Sequence, residues 1–246
     1  MRIKAVGFDF VGTLVQSNAD HEFCMRRLIE TLKAAGLEFS SDRFKEIHTA
    51  VVHKYRDLRE MTCVEVNNEV WVSETLSQLG YSFGTSSEVI RFAVDAYFQP
   101  YIDSLYISPK TLSALSRVHR RFATCLISNF TIALAIHKSI MKLGLDEFLD
   151  RIVVSEEKNL RKPHPKIFKD FLEAFDIEPQ EAVFVGDSMI HDIYGAKNLG
   201  MKTILITSKA VDPERKINCP ALDQMEPDAR ISSIDRISDV LDRLCK

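Results

Sequence analysis

After Pro109 the chain alternates short β-rich runs with stretches of helical periodicity, and this alternation is the tightest constraint on its fold. Expected strands are Ala123–Ser128, Arg151–Val154, Ala182–Gly186, Thr203–Ile206 and Ala229–Ser232. Expected helices are Thr111–Arg120, Thr131–Leu143, Pro165–Phe175, Asp192–Leu199 and Ile234–Leu244. Repeated strand–helix–strand units require right-handed crossovers, which produce a parallel sheet with helices on both faces. A further strand, Ile3–Phe10, opens the chain and runs into a sharp loop at Gly12-Thr13.

Between that strand and the alternation the pattern is helical throughout. His21–Ala35, Ser41–Arg59, Glu65–Gln78 and Ser87–Phe98 carry apolar residues at helical spacing, with Ser41-Asp42 and Ser86-Ser87 as expected N-caps and Gly36 and Gly80 as stops. The expected organisation is an α/β core of residues 1–15 and 101–246 with an all-helical insert of residues 16–100.

Composition narrows the function. The chain has 246 residues, 46% hydrophobic and 27% charged, enough for a full core. A net charge of -3 argues against a nucleic-acid binder, which needs positive charge to neutralise phosphates. No apolar run reaches the roughly 18 residues of a membrane span. Met1–Phe10 lacks the long apolar stretch and cleavage site of a signal peptide, so a cytoplasmic protein without membrane or nucleic-acid partners is expected. Cys24, Cys63, Cys125, Cys219 and Cys245 are odd in number and contain no C-x-x-C pair, so neither disulfides nor a zinc site is expected.

In open parallel sheets, ligands bind beyond the C-terminal ends of the strands. This chain places polar residues there repeatedly. Asp9 ends the first strand, followed by Phe10-Val11-Gly12-Thr13; Ser128-Asn129 ends another; Gly186-Asp187 ends a third, with Asp192 five residues on. Arg161-Lys162-Pro163-His164-Pro165 precedes a helix. Three carboxylates converging on one crevice repel each other and call for a cation, and hard oxygen donors suit Mg²⁺.

These four elements, in this order, resemble the haloacid dehalogenase-like hydrolase superfamily. The resemblance covers about residues 1–15 and 105–246 and implies a Rossmann-like core, with the helical insert standing where the superfamily carries a smaller cap domain. It implies that Asp9 is a nucleophile forming a covalent intermediate. It also implies that Asp9, Asp187 and the backbone carbonyl of Val11 ligate Mg²⁺, with Asp192 binding through water or orienting Lys162. Lys162 would clamp the nucleophile and the transferring group. Ser128, Thr13 and the amides beside Gly12 and Asn129 would donate to phosphate oxygens, while Asn129 serves equally as a helix N-cap.

One position departs from the pattern. Most phosphatases of the superfamily carry a second aspartate two residues after the nucleophile, which protonates the leaving oxygen and then activates water; here that residue is Val11. Three readings follow. One is a 2-haloacid dehalogenase, whose leaving halide needs no proton, although that branch uses no metal and typically has a non-acidic residue where this chain has Asp187. The second is a Mg²⁺-dependent phosphatase without its usual acid, His191, Ser188 or an ordered water standing in. The third is a catalytically weak relative that binds a phosphorylated ligand. The intact Gly186-Asp187…Asp192 element favours the phosphatase, acting on a small phosphorylated metabolite. His53, Tyr55, Arg56, Arg59 and Trp71 of the insert are candidate specificity residues, Arg56 and Arg59 as a pair for a carboxylate or second phosphate. A monomer or homodimer is expected.

Overall fold

The computed structural model describes residues 2–207 and 225–245. In chain order the elements begin with β1 Ala5–Phe8 and β2 Gln16–Ser17. Helices α1 His21–Ala34, α2 Ser41–Thr62, α3 Asn68–Gln78 and α4 Glu88–Ser104 follow. Then come β3 Leu105–Tyr106, α5 Pro109–His119, β4 Ala123–Ser128, α6 Ala133–Lys142, β5 Arg151–Val154 and α7 Ser155–Lys158. The chain continues through α8 Pro165–Ala174, β6 Ala182–Gly186, a wide π turn over Met189–Tyr194, and α9 Gly195–Lys197. It closes with β7 Lys202–Ile206, β8 Ala229–Ile231 and α10 Ile237–Leu244.

Six of these strands form one parallel sheet in the order β5-β4-β1-β6-β7-β8. The expected α/β class therefore stands. Central β1 is buried on both faces, as its unbroken apolar run requires. Phe168 and Phe171 of α8 pack with Ala5 of β1, Cys125 of β4 and Phe184 of β6 in one apolar cluster. The register pairs Phe8 with Leu126 on one side and Val185 on the other. The C-terminal ends of β4, β1 and β6 are thus level, and Asp9, Ser128 and Asp187 leave the sheet side by side.

The chain divides into two compact units. One holds Met1–Gln16, Tyr106–Asn129 and Ile140–Lys246; the other holds Ser17–Leu105 and Phe130–Ser139. The helical unit has its own core, including Leu28, Leu32, Phe44, Leu76, Ile90 and Phe98. The structure differs from the sequence pattern in several places. Helix α4 runs through Pro100 to Ser104 rather than ending at Phe98. An interior proline costs about 3 kcal/mol, and burial of Ile102 together with the ring packing of Phe98 and Tyr101 on Phe130, both 5.4 Å between centroids, offsets it. Phe130 and its neighbours consequently belong to this unit although their sequence follows a sheet strand. Helix α3 starts at Asn68, capped by Asn67, because Glu65 is buried in the preceding loop against Arg59 at 3.3 Å. Strands β2 and β3 pair as a two-stranded sheet, too short for any periodicity to announce. No helix among the described residues is long and apolar enough to cross a membrane. Cys24, Cys63, Cys125 and Cys245 are free thiols, and Cys219 lies outside the described residues.

Buried His48 makes this unit sensitive to acid. Its Nδ1 lies 3.0 Å from Thr75 Oγ1, whose single proton goes to the Trp71 carbonyl at 2.7 Å. Nδ1 must therefore donate, and Nε2 carries no proton. Burial pushes the imidazole down to about 4. The unfolded chain protonates below about 6.5, so between those values it binds more protons than the fold does. Stability from this group is full above that range and is lost as pH falls toward 4. Urea denaturation at pH 5 should show about 2 kcal/mol less stability from this source than at pH 7. His48→Asn should flatten that difference; an equally steep loss in the variant would assign it elsewhere.

Candidate active site

The site forms where β4, β1 and β6 end. Asp9 extends β1 by one residue, its N–H donating to the Val185 carbonyl at 2.9 Å. The chain then doubles back: the amides of Leu14 and Val15 donate to the Phe10 carbonyl at 2.9 and 3.0 Å, and Gly12 N–H donates to Val15 O at 2.8 Å. Gly12 has φ +96°, and any Cβ there would collide with Asp187 Oδ2. Glycine is thus required twice over at this position, by its backbone conformation and by the close approach of the carboxylate. Gly186 serves the same purpose for Asp192, whose carboxylate fills the space a side chain would take.

Lys162 is the hub. Its ammonium lies 2.7 Å from Asp9 Oδ1, 2.7 Å from Asp192 Oδ1 and 2.7 Å from the Ile127 carbonyl, and the residue is only 1% exposed. The ammonium donates to Asp9 and to the Ile127 carbonyl, and pairs with Asp192 by charge. Burial alone would lower its pKa, but the charges of Asp192 and Asp9 outweigh that and hold it above the ordinary lysine value. Its main chain is held as firmly. Lys162 N–H donates to Asn129 Oδ1 at 2.7 Å, and Asn129 Nδ2 donates to Lys162 O at 2.9 Å. Both ends of the Asn129 amide face Lys162, rather than a ligand or the start of α6. The chemistry of an amide after a strand is readable in sequence, but its partner 33 residues away is not.

Asp192 is placed by the π turn. Its Oδ2 accepts from Ser188 N–H at 3.0 Å, and Ser188 Oγ caps the turn by accepting from His191 N–H at 3.2 Å. The turn begins three residues before the helix that periodicity suggested, because Ser188 supplies the cap. With one oxygen on Lys162 and the other on an amide, Asp192 orients the lysine. Among the described residues Asp187 makes no ion pair, and it faces its fellow carboxylates. Desolvation, reinforced by Asp9 and Asp192, raises its pKa to about 7 despite Lys162. Burial likewise raises Asp9, with Lys162 opposing and Asp192 adding to the shift.

Oxygens of Asp9, Asp187 and Asp192 lie within 4.8 Å of one another. Three carboxylates face one ammonium, so the fully ionised cluster carries two uncompensated negative charges in a desolvated place. That imbalance, the all-oxygen donor set and the glycine clearance beside Asp187 fit a hard divalent cation. Thr13 Oγ1 is buried and has no hydrogen-bond partner among the described residues, an orphan that an incoming ligand oxygen would satisfy. Ser128 is buried at the end of β4. Val11 is half-buried and offers only its main chain and an apolar side chain. Of the insert residues, Tyr55 donates to Glu74 at 2.7 Å, and Arg59 stacks over Trp71 at 4.7 Å while pairing with Glu65. His53 and Arg56 are exposed. Arg56 and Arg59 thus sit in different surroundings, the second engaged within its own unit.

Comparison with known proteins agrees with this geometry. A glyceraldehyde 3-phosphate phosphatase of Pyrococcus furiosus is 31% identical over 205 residues, 82% of this chain and 80% of that protein. One from Methanopyrus kandleri is 30% identical over 247 residues, 99% of each. Among solved structures, a 2-haloacid dehalogenase of Pseudomonas syringae superposes with a TM-score of 0.69 at 22% identity, covering 98% of this chain and 99% of that one. A HAD phosphatase of Thermococcus onnurineus gives 0.64 at 22% identity, over 97% and 98%. At such identities the structures share the fold alone, and phosphatases and dehalogenases share it equally. The family model described as haloacid dehalogenase-like hydrolase matches residues 3–200, and the chain belongs to that hydrolase family.

Proposed function

We propose that the protein is a Mg²⁺-dependent phosphatase of small phosphorylated metabolites, with sugar phosphates the leading class. The observation that carries this reading is the Asp9–Asp187–Asp192 cluster around Lys162. The dehalogenase reading has no use for Asp187, a carboxylate in a place that only a cation or a proton makes comfortable. The names of these two relatives point the same way.

Asp9 is assigned as nucleophile. Lys162 grips Oδ1, so Oδ2 is left to attack phosphorus and form the aspartyl phosphate. Asp9 and Asp187, with the Val11 carbonyl, would hold the metal, and Asp192 would complete the cluster through water. When bound, the cation offsets the charge of nucleophile and phosphoryl group, letting two anions meet. Ser128 and Thr13 donate hydroxyls to the phosphoryl oxygens, Gly12 and Asn129 contribute main-chain amides, and the Asn129 side chain keeps Lys162 in position. Catalysis in the sheet unit and substrate selection in the helical unit belong to the same reading.

The test is phosphate release from p-nitrophenyl phosphate with Mg²⁺ and with EDTA. Release should require the metal. Because Asp187 holds its proton up to about 7, and a ligand must be deprotonated to bind, Mg²⁺ affinity should weaken as pH falls below 7, by up to about tenfold per unit. The Mg²⁺-induced rise in melting temperature should accordingly be larger at pH 8 than at pH 6. EDTA-resistant release, or chloride release from 2-chloropropionate in its place, would overturn the reading.

A further inference from the structure

We infer a second anion-binding site in the sheet unit, remote from Asp9, that takes a small phosphorylated molecule in the hollow between β8 and α10. Strand β8 stands three strands from β1 in the sheet order. At about 4.8 Å per strand, that displaces it sideways from the nucleophile by roughly 14 Å. Two hollows of about 360 and 350 Å³ lie against it. They share Arg230, Val240 and Arg243, so they adjoin as one groove. Each hollow has the size of a small-molecule site.

The groove has an apolar floor and a basic rim. Ile231 and Val240 are buried beneath it. Helix α10 turns Ile237, Val240 and Leu241 into the core. This leaves Arg236 and Arg243, seven residues apart and so nearly in line along the helix, at the groove. Arg230 enters from the strand, so the cations converge from two elements instead of sharing one solvated helix face. Among the described lining residues of the larger hollow, these three guanidiniums face the single carboxylate of Asp239. The surplus there is positive, although the chain as a whole carries a charge of -3. Arg230 pairs with Glu226 at 2.6 Å, but both side chains are exposed, and such a pair yields readily to a better anion. Guanidinium forks match phosphate oxygens two at a time. A phosphate offers three oxygens and up to two charges, so arginines from both walls can hold it at once. Ser232, directly after β8, adds a hydroxyl to the same wall. The carbon skeleton of the ligand would rest on Ile231 and Val240.

The experiment is calorimetric titration of the full chain with inorganic phosphate and with pyrophosphate, both in EDTA. Without a cation, the Asp9–Asp187–Asp192 cluster repels anions, so the titration isolates the groove and does not depend on the phosphatase reading. One saturable site per chain is expected, tighter for pyrophosphate because it carries more charge. Arg236→Gln and Arg243→Gln should each weaken it by about tenfold or more, the scale of one charge-assisted contact. Asp239→Asn, which removes the opposing charge, should tighten it severalfold. Ser128→Ala should leave it unchanged. The arginines are exposed, so their variants should melt at the native temperature, which separates lost binding from lost fold. The absence of saturable binding for both probes would overturn the inference. Binding that survives both arginine substitutions would overturn it too, placing the anion elsewhere on the surface. Binding lost in Ser128→Ala would place it at the carboxylate site and likewise overturn the inference.

Discussion

Asp9→Asn should abolish turnover, lowering kcat on p-nitrophenyl phosphate by roughly 10⁴-fold or more, the scale of losing a covalent nucleophile. The substitution keeps the shape of the side chain and removes its charge and nucleophilicity. The fold should tolerate it. Lys162 keeps Asp192 and the Ile127 carbonyl as partners, and the cluster loses one of the negative charges that repel within it. Asp187 should titrate lower once Asp9 no longer adds to its shift. The check is a single-turnover assay with intact-protein mass measurement. The native chain should gain the mass of one phosphoryl group during turnover, and the variant none. A variant that still releases phosphate at a tenth of the native rate would show that water attacks directly and that Asp9 only supports the cation.

Val11→Asp should raise turnover of alkyl phosphates by ~10²–10⁴, the usual worth of a positioned general acid–base group. The backbone there has no positive φ to obstruct the change, and a half-buried position can accept a carboxyl. The introduced group would enter a field already negative from Asp9 and Asp187, which favours its protonated form and so suits it to donate. The gain should be smallest for acetyl phosphate, whose leaving carboxylate needs no proton. Steady-state kcat on glycerol phosphate and on acetyl phosphate, native against variant, decides it. Equal rates for native and variant on both substrates would mean that the proton already comes from elsewhere.

Both predictions act on residues that could be named before any coordinates. Most of the six parallel strands were legible because they are short apolar runs closed by a turn signal, and Arg151–Val154 and Ala182–Gly186 needed no adjustment. The aspartates were legible because a charged residue directly after a buried strand has few structural reasons to be there. What escaped was long-range. The Asn129 side chain read as a helix cap, and its amide instead brackets the Lys162 main chain. Arg56 and Arg59 read as one anion clamp, and Arg59 instead stacks on Trp71 beside Glu65.

Sequence by itself determined the class of fold, a helical stretch after the first strand and the candidate site residues, because strand and helix periods, glycine at a tight loop and carboxylates at strand ends are local signals. Only the tertiary structure decided how the set is wired. Lys162 is joined to Asp9 across 153 residues, Asp192 is shared between the lysine and an amide, and Asp187 is left facing two like charges. It also decided that α4 passes through Pro100 and that Phe130–Ser139 packs with the helical unit. Those outcomes depend on which side chains meet from distant parts of the chain, where burial of several rings or of an ion pair outweighs a local preference of a few kcal/mol.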